Sequence, residues 1–99
     1  MTANYREVFP DYDPATLPSI PAHWVDNSWR NDACPSWVVE KPQLHVYVNY
    51  LNPADREIPA TPRFFVLSIA DATLDHVVLE SDDWAEVLAL VSLREAVHA

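Results

Sequence analysis

The stretch HWVDNSWRNDACPSW, residues 23–37, gathers the residue types from which a small reactive or metal site could be built. Cys34 is the only cysteine, and His23 and His45 stand eleven residues to either side of it. A thiolate nucleophile needs a base within hydrogen-bond reach, for which His23, His45 and His76 are candidates, and a carboxylate such as Asp26 or Asp32 to orient that base. The same imidazoles and thiolate, with Asp32, form a zinc donor set. Neither chemistry has support beyond residue type. Cys34 precedes Pro35 without the flanking signature of a cysteine enzyme, and spacings of eleven are unlike the close ligand pairs of small zinc modules. A lone cysteine in a small domain is more often a buried small hydrophobe. The sequence therefore assigns no catalytic residue, no metal ligand and no cofactor. A small Cys/His-dependent enzyme or zinc-binding protein centred on Cys34 stays open as the alternative.

Other reactive constellations are weaker. The carboxylate pairs Asp11 with Asp13 and Asp55 with Glu57 could divide acid and base roles, but both fall in loops and neither has a companion motif. The chain contains no glycine at all. A serine elbow, a dinucleotide fingerprint and a phosphate-cradling loop all need one for close backbone approach, so those chemistries are excluded. Turns fall to Asn, Asp, Ser and Pro. Trp24, Trp29 and Trp37 are expected to pin an irregular arm onto a sheet, each indole N–H finding a backbone carbonyl. If exposed instead, Trp24 and Trp29 are the residue type that dominates protein interfaces.

Charge narrows the partners. Fifteen acidic residues against six basic ones leave a net charge of −9, with a single lysine, Lys41, and no basic cluster. Direct nucleic-acid binding needs cations to displace counterions from phosphate, and is not expected. The last 29 residues carry seven acids against Arg94 alone. Of these, Asp71, Asp75, Glu80, Asp82, Asp83 and Glu86 flank one turn and one helix start. As a solvated face they keep a small protein soluble; as a docking face they meet a basic partner. The expectation is a small, acidic, non-enzymatic protein-binding module that inhibits or regulates a basic, nucleic-acid-handling protein through those six acids with Trp24 and Trp29. Phages and mobile elements use such nucleic-acid mimics against host defences, and an anti-CRISPR-like protein fits that description.

The elements that must position these residues follow from the pattern. Ninety-nine residues give room for one domain and one modest core. The texture changes near residue 36. Residues 1–35, with Pro10, Pro14, Pro18, Pro21 and Pro35, read as an extended arm. Residues 36–80 read as a small antiparallel sheet of three to four strands, at 36–40, 44–51, 63–70 and 76–80. Leu44, Val46, Val48 and Tyr50 share one face, which should meet the core. The run at 63–70 is apolar on both faces, which suggests a central strand covered by the helix on one side and the arm on the other. Residues 82–97, where Trp84, Val87, Leu88 and Val91 recur at helical spacing, read as a C-terminal helix capped by Ser81 and packed on the sheet, giving an α+β fold. A second apolar line on that helix, Leu90, Leu93 and Val97, exceeds what one small sheet needs covered. It opens a further alternative, a homo-oligomeric structural subunit or homodimer joined through the helix. No run reaches the roughly 18 apolar residues of a membrane span, and no basic leader precedes an apolar stretch, so a cytoplasmic protein without membrane contact is expected.

Overall fold

The computed structural model describes residues 4–69 and 76–97. Strands β1 (Val25–Asp26), β2 (Ser36–Val39), β3 (Leu44–Val48), β4 (Phe64–Ser68) and β5 (His76–Ser81) form one sheet in sequence order, each pair antiparallel. Helix α1 (Tyr5–Val8) and 3-10 turns at Pro14–Thr16 and Pro53–Asp55 lie in the connections, and helix α2 (Trp84–Val97) closes the chain. The fold is α+β, as the pattern implies, but the sheet has five strands rather than three to four. The extra strand comes from the arm, where Val25 and Asp26 pair with Val38 and Trp37. Two residues are too few to leave a periodic signature.

Alternation builds the core. Leu44, Val46, Val48 and Tyr50 are buried, and with Trp37, Val39, Phe64 and Val66 they make one apolar face of the sheet. Helix α2 lays Val87 and Val91 on that face, and the arm adds Phe9, Tyr12 and Trp24 beside them. Helix and arm thus share one face instead of taking opposite sides of β4. Phe65 and Leu67, on the other face, are half-buried, and Phe65 stacks on Tyr47 with ring centroids 4.5 Å apart.

The arm is ordered by aromatic and capping contacts. Asn4 caps α1 by accepting from Arg6 N, and Asp13 caps the first 3-10 turn by accepting from Ala15 N. Tyr5 packs against Tyr12 and Trp37, and Tyr12 against Tyr50. Trp84 at the start of α2 meets Trp24 and Phe64, and its indole donates to Ser19 O at 3.1 Å. Trp24, buried beside it, has an indole N–H without a partner among the described residues, and Trp29 is 59% exposed. Only part of the expected tryptophan pinning is realised.

Two local expectations change. The cap of α2 is Asp83, whose carboxylate accepts from Ala85 N at 3.0 Å and whose carbonyl accepts from Glu86 N. Ser81 stands outside that position and accepts from Asp83 N instead. An aspartate two residues before the second helical amide has the reach an N-cap needs. The β2–β3 turn, with a cis Lys41-Pro42 bond, puts Gln43 at φ 67°, a left-handed position that glycine takes most easily. Without glycine, a long side chain fills it, and Ile69 N donates to its carbonyl at 2.9 Å.

Arg63 joins the parts. Its Nε donates to Asn49 O at 3.1 Å, and its Nη2 donates to Thr16 O at 2.7 Å and to the Tyr12 hydroxyl at 3.1 Å. Its guanidinium also lies 5.0 Å from the Phe64 ring centroid, and its backbone N–H donates to Asp82 at 2.8 Å. Arm, sheet and helix start therefore meet at one residue. Arg63→Ala is expected to cost about 3 kcal/mol, because charged donors are lost and carbonyls are left unpaired. Arg63→Lys should recover less than half of that, since one ammonium lacks the planar fork. Denaturant midpoints of the two variants check this.

Candidate functional site

The residue types around Cys34 are not brought together. The thiol is 1% exposed, and burial, then the negative charges of Asp32 and Glu57, push its pKa up to about 12. A nucleophile or metal ligand needs the opposite, a thiol that ionises readily. His23 lies with Glu95, Nε2 to Oε2 at 2.8 Å, and His45 with Ser36 Oγ at 2.8 Å, so the two imidazoles are drawn to different elements. His76 opens β5, paired with Ser68 across the ladder. Among the described residues no group of three or more His, Cys, Asp or Glu side chains is arranged to hold a metal ion.

The carboxylate pairs are redistributed. Asp11 and Asp13 from the arm meet Asp55 from the β3–β4 connection around one cleft of about 240 Å³, shared with Thr16, Tyr50, Leu51 and Asn52. Glu57 does not line it. The Tyr50 hydroxyl donates to Asp11 at 2.8 Å, and burial, then that bond and the Asp11 charge, hold the phenol protonated above its ordinary range. Asp13 and Asn52 spend one oxygen each on capping the flanking 3-10 turns.

The acids of the β5–α2 junction are exposed and oriented. Asp82 accepts from Arg63 N, Asp83 from Ala85 N, and Glu86 from Ser81 Oγ at 3.2 Å. Glu80 is exposed on β5, opposite Phe65. Asp71 and Asp75 lie outside the described residues. Trp24 is 6% exposed and presents little surface, whereas Trp29 is open. Leu90 is half-buried against the core, and Leu93 and Val97 are 64% and 74% exposed.

The residues that sequence reasoning missed are the arginines. Arg56 donates to the carbonyls of Tyr50, Thr61 and Leu51, as Arg63 does to Asn49 and Thr16. Arg56 lies within the proline-punctuated loop at 52–62 and Arg63 directly after it, where carbonyls outnumber available amides. That imbalance was the available signal. Among the described residues the only basic side chain set against a carboxylate is His23 at Glu95, an ion pair when the imidazole is protonated, and no arginine or lysine neutralises an acid. No family model, curated protein or solved structure matches the chain.

The three raised groups set a pH dependence. Cys34, Tyr12 and Tyr50 all hold their protons more tightly in the folded chain, chiefly through burial. Above about pH 9 to 10 the unfolded chain releases those protons first, so it binds fewer than the folded one and stability falls with rising pH. The contribution is intact below about pH 8.5 and declines by up to about 1.4 kcal/mol per pH unit for each group. Urea titrations between pH 8 and pH 11.5 should trace that decline. In the same buffers Cys34 should resist a thiol reagent at pH 8 until the chain is unfolded.

Proposed function

We propose that the chain is a small acidic protein-binding module that occupies a basic surface on a nucleic-acid-handling protein in the cytoplasm and so inhibits or regulates it. One observation carries this. Arg56 and Arg63 are turned onto backbone carbonyls, while Asp82, Asp83 and Glu86 stay exposed, each with an oxygen held by a hydrogen bond and none met by an arginine or lysine. Oriented, uncompensated carboxylates are what a phosphate mimic requires, because the partner's cations then recover hydration energy without the mimic losing side-chain entropy. Glu80 extends the row along β5, and Trp29 supplies an exposed aromatic of the type that anchors interfaces. The targets that fit are those whose basic groove receives RNA or DNA, including the defence nucleoproteins that mobile elements block.

The test begins with capture from a lysate of the source cell at low salt and release at high salt, followed by titration of the captured basic protein. Glu80→Lys with Glu86→Lys reverses two charges away from the cap, and Asp82→Asn with Asp83→Asn neutralises two more while keeping hydrogen-bond acceptors in place. Each pair should weaken affinity at least tenfold at low salt, mainly through slower association, and nucleic acid should compete. Affinity unchanged by both pairs contradicts the proposal.

A further inference from the structure

Helix α2 has two unlike flanks. One carries Trp84 and Glu95, which meet Trp24, Ser19 and His23 of the arm. The stretch of the arm at His23–Trp24 runs into β1 at the far edge of the sheet, and α2 packs over β4 and β5. The flank away from the arm therefore points past the β5 edge of the sheet. Helical geometry puts Glu86, Leu90 and Arg94, each four residues apart, in one row on that flank, with Leu93 and Val97 beside it. Glu86, Leu93, Arg94 and Val97 are all exposed.

That row is self-complementary. Read in one direction it runs acid, apolar, base; turned end for end it runs base, apolar, acid. Two copies of α2 packed antiparallel bring Leu90 against Leu90, Glu86 against Arg94 and Arg94 against Glu86, with Leu93 and Val97 filling the seam. Arg94 is the only cation of the helix, and it occupies the one position that answers Glu86 in this arrangement. A parallel pair would instead set like charges side by side.

The strand beneath has the matching property. Among the described residues β5 pairs on one side only, with β4, and its other edge offers backbone donors and acceptors along His76–Ser81. Val77, Val78 and Leu79 give it β-forming residues, and it contains neither proline nor lysine, two of the means of blunting an edge; the register shift opposite Val66 and Leu67 leaves Val78 as a bulge that divides the strand. The two layers also fit in dimension. Strands pair about 4.8 Å apart, so a helix seated midway over β4 and β5 lies roughly 2.4 Å inside the edge strand, and two such helices across a β5–β5 pair stand roughly 9.6 Å apart. Packed helices prefer about 8–10 Å. A helix seam or a strand edge alone is short of the roughly 1,200 Å² that a stable interface buries; two layers closing together supply the larger surface.

We propose that the β5 edge and the outer flank of α2 bind a second copy of this chain about a two-fold axis, giving a continuous ten-stranded sheet with two antiparallel helices on one face. The antiparallel arrangement keeps the two Asp82/Asp83 clusters apart by about a helix length, roughly 21 Å, which limits repulsion between copies that each carry a charge of −9. Dimer formation does not depend on the basic-partner proposal, and salt separates the two: screening the mutual repulsion strengthens self-association and weakens capture of a basic protein.

Sedimentation velocity on the whole chain, from about 1 to 300 μM at about 0.3 M salt, should show a concentration-dependent dimer. Leu93→Glu and Arg94→Glu, both at exposed positions, should each weaken it at least tenfold, and the exchanged pair Glu86→Arg with Arg94→Glu should restore it to within about threefold of the original. Hydrogen exchange should find the β5 amides turned away from β4 gaining protection as concentration rises. A chain that stays monomeric at 300 μM, a dimer indifferent to Leu93→Glu and Arg94→Glu, or β5 amides unchanged in a dimer would overturn the proposal.

Discussion

A single guanidinium holds this structure together. Arg63 reaches the arm through Tyr12 and Thr16 and the end of β3 through Asn49, and its backbone N–H meets Asp82 ahead of α2. Its partners are neutral oxygens rather than a carboxylate at the guanidinium, so its bonds satisfy carbonyls that the short elements of the arm and the end of β3 would leave unpaired. Arg56 does the same within the β3–β4 connection. A glycine-free, proline-rich chain makes irregular turns whose carbonyls outnumber the amides able to meet them, and a five-donor fork answers that need.

The distribution of charge follows from that choice. Fifteen acids against six bases set the net charge at −9, and each arginine committed to carbonyls is a cation that meets none of those acids. At the start of α2 the acids have structural duties as well: Asp83 caps the helix, and Asp82 ties it to β4's entry residue. Those duties orient the carboxylates without neutralising them. Orientation without neutralisation is the property on which the proposed binding of a basic partner rests.

Periodicity made the sheet and the helix legible. The alternation of Leu44, Val46, Val48 and Tyr50 named the buried face, and helical spacing of Trp84, Val87, Leu88 and Val91 named the face of α2 that meets it. What stayed hidden had no period. Val25 and Asp26 become a strand only because β2 is there to pair with, and the arm reaches the same face as α2 because Tyr5 and Tyr12 find Trp37 and Tyr50 far along the chain. The dense stretch around Cys34 looked chemical because it holds reactive residue types. Folding instead buries the thiol and sends His23 to α2 and His45 to β2. Among the carboxylates, the grouping of Asp11, Asp13 and Asp55 rests on a contact between loops some forty residues apart, which no local spacing encodes.

Native-state hydrogen exchange tests most directly whether Arg63 makes arm and sheet one cooperative unit. The amides of Phe9, Tyr12 and Trp24, which donate to Tyr5, Phe9 and Pro21, should open with the same free energy as Val46 and Val66 at the sheet centre. Arm amides that exchange as fast as an unfolded segment while the sheet stays protected would show that the arm is only laid upon the fold.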